Sequence, residues 1–93
     1  MFKVNEYYEG KVKSISFEST EGPASIGIMD AGEYEFTTSN KEIMTITSGS
    51  MKVLLPGKQE WQEYNQNESF EVEPGKTFMV QVLSVSTYLC EYR

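Results

Sequence analysis

From Lys11 to Tyr92 the chain alternates apolar and polar side chains in short runs, and glycine, proline, serine or aspartate breaks the alternation at intervals of roughly 8–12 positions. A period of two puts successive side chains on opposite faces of a strand, whereas an amphipathic helix needs apolar residues three and four apart. No segment carries the helical period. The pattern predicts an all-β, antiparallel sandwich or barrel.

The expected strands follow from the breaks. Lys11 to Phe17 and Ser25 to Met29 form the first two, and Asp30-Ala31-Gly32 turns the chain into Glu33 to Thr37. In that third strand Tyr34 and Phe36 share one face, and Glu33, Glu35 and Thr37 the other. Glu42, Met44 and Ile46 then lie opposite Ile43, Thr45 and Thr47, and Ser48-Gly49-Ser50 reverses the chain into Met51 to Leu55. Pro56-Gly57 stops that strand, because proline has no N–H to donate to a ladder. Trp61 to Tyr64 is a short edge segment. Phe70 and Val72 precede the Pro74-Gly75 turn, after which Phe78 to Leu83 is the most apolar strand and Tyr88 to Tyr92 the last. Eight or nine strands in residues 1–93, without linkers or repeats, predict a single small jelly roll.

At 93 residues, 39% hydrophobic and 13% aromatic, such a domain has material for one modest core. A chain this size buries about 65% of its unfolded surface, so burial shared with a second copy is expected. A formal charge of −6 argues against nucleic acid or anionic membrane as a partner. No apolar run is long enough to span a membrane or serve as a signal peptide. The lone Cys90 has no intramolecular disulfide mate, which fits a reducing cytoplasm.

The chain has no histidine. Ser-His-Asp and Cys-His nucleophile systems, imidazole bases and His-ligated metal centres are therefore excluded.

Glu42, six intervening residues and Gly49 reproduce the spacing of the second half of the first cupin motif. Counting back, Glu35 and Thr37 stand where that motif has its two histidines, and Phe78 stands at the histidine position of the second motif, near Gly75. A cupin frame without its metal ligands is implied. A closer resemblance runs through Asn5-Glu6-Tyr7, Gly10 to Ile15, Phe17, Ala24-Ser25, Gly27, Met29, Gly32-Glu33-Tyr34, Phe36, Thr38, Glu42, Met44-Thr45 and Ser48-Gly49. It continues through Val53 to Pro56, Trp61, Gln81-Val82 and Tyr88-Leu89-Cys90. In these residues the chain resembles the small cupin-fold pyrimidine/purine nucleoside phosphorylases. The resemblance implies a homodimer that cleaves nucleosides with inorganic phosphate to free base and ribose 1-phosphate. It also implies broad base tolerance. The reaction requires no metal in principle, so the lack of histidine is no obstacle, and no metal or other cofactor is expected. Some relatives carry an arginine where this chain has Pro23.

Phosphorolysis of an N-glycosidic bond needs a ribose cleft, a bound phosphate and stabilisation of oxocarbenium-like charge, for which a carboxylate suits. The cupin frame points Glu42 and Glu35 into the barrel, making them the candidate catalytic carboxylates; the plain alternative is a solvated glutamate at each position. Lys11 and Lys13, on one face of the first strand, are the candidate phosphate ligands, or else an edge-strand pair that discourages aggregation. Ser25 and Gly27 offer a hydroxyl and open backbone to a substrate. Thr37 and Phe78 line whatever cavity remains, Phe78 either stacking on the ligand or filling the core. Tyr34 and Tyr88 offer hydroxyls to ribose or base, or to their own backbone. The competing expectations are a non-catalytic cupin that holds a small metabolite, and a structural dimer with an occluded pocket.

Overall fold

The computed structural model describes residues 2–93. Ten strands are present: β1 (Lys3–Tyr7), β2 (Val12–Ser19), β3 (Gly22–Met29), β4 (Gly32–Thr37), β5 (Glu42–Ser48), β6 (Ser50–Leu54), β7 (Gln62–Asn65), β8 (Ser69–Val72), β9 (Thr77–Val82) and β10 (Ser86–Tyr92). They form a six-stranded sheet in the order β1-β2-β3-β10-β5-β8 and a four-stranded sheet in the order β4-β9-β6-β7, with every pairing antiparallel. This is the expected all-β, cupin-like jelly roll.

Alternation along each strand sends one set of side chains between the sheets. Val12 and Met29 come from β2 and β3, Met44 and Ile46 from β5, and Val53, Phe78, Val80 and Val82 from the facing sheet; all are buried. Each such side chain contributes roughly 1.5–3 kcal/mol by leaving water. Phe78 lies 5.7 Å from Phe36 and 6.0 Å from Phe70, ring centre to ring centre, so three strands of two sheets meet on one aromatic cluster.

The alternation did not reveal the first strand. β1 pairs with β2 from Lys3↔Ser16 to Tyr7↔Val12, yet its inward residue is the polar Asn5 and its outward one the apolar Val4, an inversion of the usual pattern. Asn5 Nδ2 donates to Ser14 Oγ at 3.3 Å and to Ser16 Oγ at 3.0 Å, so the buried side of β1 is held by hydrogen bonds rather than by apolar packing. Lys11 belongs to a turn rather than to β2. β3 begins at Gly22, so most of the stretch between the first two expected strands is paired hairpin, with Glu18 opposite Pro23.

Between β1 and β2 the chain turns through Tyr8, Glu9 and Gly10 with φ of 53°, 58° and 87°. The first two are unfavourable for residues bearing a Cβ. What holds Tyr8 there is its hydroxyl, which donates to the carbonyl of Glu35 at 2.6 Å and accepts from the Glu35 N–H at 2.9 Å. β4 is an edge strand, and this phenol occupies the backbone groups that an intruding strand would use.

Candidate functional site

A cavity of about 170 Å³ opens between the sheets. Its two walls differ in chemistry. The six-stranded sheet supplies Tyr7 from β1, Ser14 from β2, Glu42 from β5, and Tyr88, Cys90 and Tyr92 from β10, with Met29 and Met44 beneath them; the four-stranded sheet supplies Phe36, Thr37 and Phe78. Oxygen-bearing groups thus gather on one wall and aromatic carbon on the other, with Thr37 the exception. Ser14, Tyr88, Cys90 and Phe78 are buried, while Tyr7 and Thr37 are exposed at the mouth.

Glu42 begins β5, opposite Tyr92 of β10 and Val72 of β8. Its carboxylate accepts a long hydrogen bond from Cys90 Sγ at 3.5 Å. Burial raises the Glu42 pKa above the ordinary glutamate value, and the thiol hydrogen bond offsets part of that shift. Cys90 is pushed far upward by burial and by the neighbouring Glu42 charge, so it is a protonated donor and not a thiolate nucleophile. The Tyr92 hydroxyl shares a hydrogen bond with Ser25 Oγ at 2.9 Å, and burial pushes its pKa up to about 12.

Tyr88 is placed by two local features. A β-bulge shifts the β5–β10 register, with Thr87 opposite Ser48 but Tyr88 opposite Ile46, which leaves Thr47 unpaired. Across β10's other edge Tyr88 faces Gly27. The ring lies over that glycine so closely that a Cβ there would sit 2.6 Å from Tyr88 Cε1 and nearer still to Cζ and the hydroxyl. Glycine is required here for the space it leaves. Tyr88 is only 7% exposed, yet its phenol makes no hydrogen bond to any described residue; burial and nearby acidic groups alone raise its pKa.

The sequence-derived candidates separate on this geometry. Glu42, Thr37, Phe78 and Tyr88 come together in the cavity. Glu35 does not point into the barrel: in β4 it is exposed, on the face opposite Tyr34 and Phe36. The cupin spacing located its position in the chain but not its face. Tyr34 is inward but unavailable, since its hydroxyl donates to the Asp30 carbonyl at 2.6 Å and closes the β3–β4 turn. Ser25 reaches the cavity only through Tyr92, and the open backbone expected at Gly27 is covered by the Tyr88 ring.

Lys11 and Lys13 are not at the cavity. Lys11 borders a surface hollow with Tyr8, Glu9 and Glu33, and Lys13 lies on the outer sheet face, 3.3 Å from Glu6. Among the described residues no cationic side chain lines the cavity. Sequence reasoning missed Tyr7, Ser14, Cys90 and Tyr92 as site residues. The alternation Tyr88-x-Cys90-x-Tyr92 already put three polar groups on one strand face. Nothing local marked Tyr7 or Ser14, which reach the cavity only because β1 and β2 pair beside β3. Among the described residues no three Cys, Asp or Glu side chains converge as metal ligands would.

Residues 2–92 match the family model described as pyrimidine/purine nucleoside phosphorylase. Curated proteins of that name include one from Pseudomonas aeruginosa, 55% identical over 93 residues that cover 100% of both chains. Another, from Marinobacter nauticus, is 52% identical over 92 residues that cover 99% of each. A solved protein of unknown function from Vibrio parahaemolyticus superposes with a TM-score of 0.96 at 40% identity, covering 100% of this chain and 99% of that one. An RmlC-like cupin from Shewanella frigidimarina shares the fold, with a TM-score of 0.72 at 15% identity, covering 96% of this chain and 80% of its own.

Proposed function

The chain belongs to the pyrimidine/purine nucleoside phosphorylase family, and on that premise we propose that it cleaves purine and pyrimidine ribonucleosides with inorganic phosphate, without a metal or other cofactor. The observation that carries this reading is identity of 55% along the full length of a relative bearing that name. In the reaction a phosphate oxygen bonds to C1′ as the C1′–N bond breaks. The bond's electron pair leaves with the base, and the proton given up by hydrogen phosphate is balanced by the one the base gains. The products are free base and α-D-ribose 1-phosphate.

Positive charge develops on the sugar between the two bonds, and Glu42 is the carboxylate in the cavity to meet it. Above its raised pKa the group is anionic, and its partial burial strengthens its field relative to a solvated glutamate. Phe78 and Tyr88 contact the substrate from opposite walls, and phosphate enters at the mouth, where Tyr7, Thr37 and Tyr92 supply hydroxyls. A donor set of one carboxylate, one thiol and hydroxyls, in a chain without histidine, supports metal-independent chemistry.

The proposed unit is a homodimer acting in the cytoplasm. Val4, Ile15 and Ile26 are exposed and lie opposite one another across β1, β2 and β3, and Ile28 extends the patch. Such a row on an outer sheet face supports burial against a second copy. The Lys13–Glu6 pair at its border offers both signs of charge to a twofold mate.

The test is incubation of the chelator-treated protein with uridine and with guanosine, with and without phosphate, measuring base and ribose 1-phosphate. Both products should appear only with phosphate. Saturable nucleoside binding without turnover by the folded protein would replace the enzyme with a metabolite-binding cupin.

A further inference from the structure

Purines and pyrimidines share no hydrogen-bonding edge, so a site that accepts both must hold its substrates by the part they have in common. At about 170 Å³ the cavity is below the roughly 300 Å³ at which pockets begin to enclose a whole small-molecule ligand, so only a fragment of a nucleoside enters it. Its two walls suit one fragment better than the other. A ribose has hydroxyls on its edges and C–H bonds on its faces, which matches a wall of carboxylate and hydroxyls opposite Phe36 and Phe78. A base would need donors and acceptors in its own plane, and no side-chain amide or guanidinium lines the cavity.

One group on the polar wall is free to meet a ligand atom. The Tyr88 side chain is 7% exposed and held over Gly27, and its hydroxyl, which keeps an open side at the cavity, has no hydrogen-bond partner among the described residues, whereas the phenols of Tyr34 and Tyr92 are both satisfied. A phenol with its donor and acceptor both unused inside a cavity is available to a ligand hydroxyl. We propose that the cavity takes the ribose rather than the base, and that Tyr88 is the specificity-determining residue that hydrogen-bonds a sugar hydroxyl there. The base then lies outside the cavity, where its identity matters little.

This inference rests on the proposed phosphorolysis, and the experiment separates the two. Uridine, 2′-deoxyuridine, 3′-deoxyuridine and guanosine are compared in the wild type and in Tyr88→Phe. The variant should keep the wild-type melting temperature, because no internal hydrogen bond is lost. Its kcat/KM should fall about tenfold, by the same factor for uridine and guanosine, and the fall should vanish for the deoxynucleoside that lacks the contacted hydroxyl. A loss that differs between uridine and guanosine but is equal for ribo- and deoxynucleosides would place the base in the cavity and overturn the proposal. So would no loss at all. Should Tyr88→Phe unfold, wild-type discrimination between uridine and the two deoxyuridines still decides: equal kcat/KM for all three refutes sugar recognition. If the wild type releases no base, phosphorolysis fails, and calorimetric titration of uridine against the deoxyuridines tests the sugar site alone.

Discussion

Replacing Gly27 with alanine sets two effects of opposite sign against each other. Gly27 does not have the positive φ that disfavours a side chain, so alanine fits its backbone and should stabilise the fold by about 0.4–1 kcal/mol through the unfolded chain. Against this, the new methyl would lie 2.6 Å from Tyr88 Cε1, with Cζ and the hydroxyl closer. Ordinary carbon contacts are about 3.5–4.0 Å, so the ring must retreat by about 1 Å or more. The β-bulge and packing within the core cluster restrain that retreat, leaving the cavity as the direction in which the ring can give. Overpacking of this kind costs about 1–3 kcal/mol, so the net loss runs from about 0 to about 2.6 kcal/mol, with about 1–2 kcal/mol as the middle of that range. For a domain of this size that lowers Tm by about 4–16 °C in a thermal melt. In a Tyr88→Ala background the obstruction is gone, and the same substitution should become neutral or stabilising. That reversal of sign between backgrounds is the signature of the contact. A Gly27→Ala protein that melts at or above wild type in both backgrounds would show that the ring is not pinned over residue 27.

Glu42→Gln should fold normally, since its amide oxygen can still accept from Cys90 Sγ, and should lose most phosphorolytic turnover; a wild-type rate in the folded variant would remove Glu42 from the chemistry. The folded-state pKa of Glu42 is raised, so the carboxyl adds stability below its unfolded value, and that contribution disappears as pH rises through the folded value. Glu42→Gln should therefore gain Tm relative to wild type at neutral pH, with the gain shrinking as pH falls to about 4. Tyr8→Phe removes both hydrogen bonds to the Glu35 backbone and should cost about 1–2 kcal/mol in urea unfolding, with faster exchange of the Glu35 amide proton; unchanged exchange would mean that the edge is guarded by other groups. Ile26→Lys puts a charge in the middle of the exposed apolar row and should convert a dimer to a monomer in sedimentation, whereas a persisting dimer would place the interface elsewhere.

The strands and their breaks were legible in the sequence because they depend on neighbours a few residues apart. Tyr34 and Phe36 against Glu33 and Glu35, the stops at Pro56-Gly57 and Pro74-Gly75, and the inward set Met44 and Ile46 all follow from period-two alternation and turn chemistry. The absence of histidine likewise excludes whole classes of chemistry on composition alone. The site was less legible. Asn5 points inward and Val4 outward, so β1 hid its pairing with β2, and with it went Tyr7 and Ser14. Glu35 and Glu42 are both glutamates at motif positions, but one lies on the solvent face of an edge strand and the other between two sheets. Only tertiary pairing decided this: the Glu42 pKa rises because distant strands bury the carboxyl, while the hydrogen bond from Cys90 on β10, 48 residues along the chain, holds back part of that rise. Alternation states which residues share a face, but burial depends on what distant strand covers that face, and dielectric, hydrogen-bond partners and cavity shape follow from the cover.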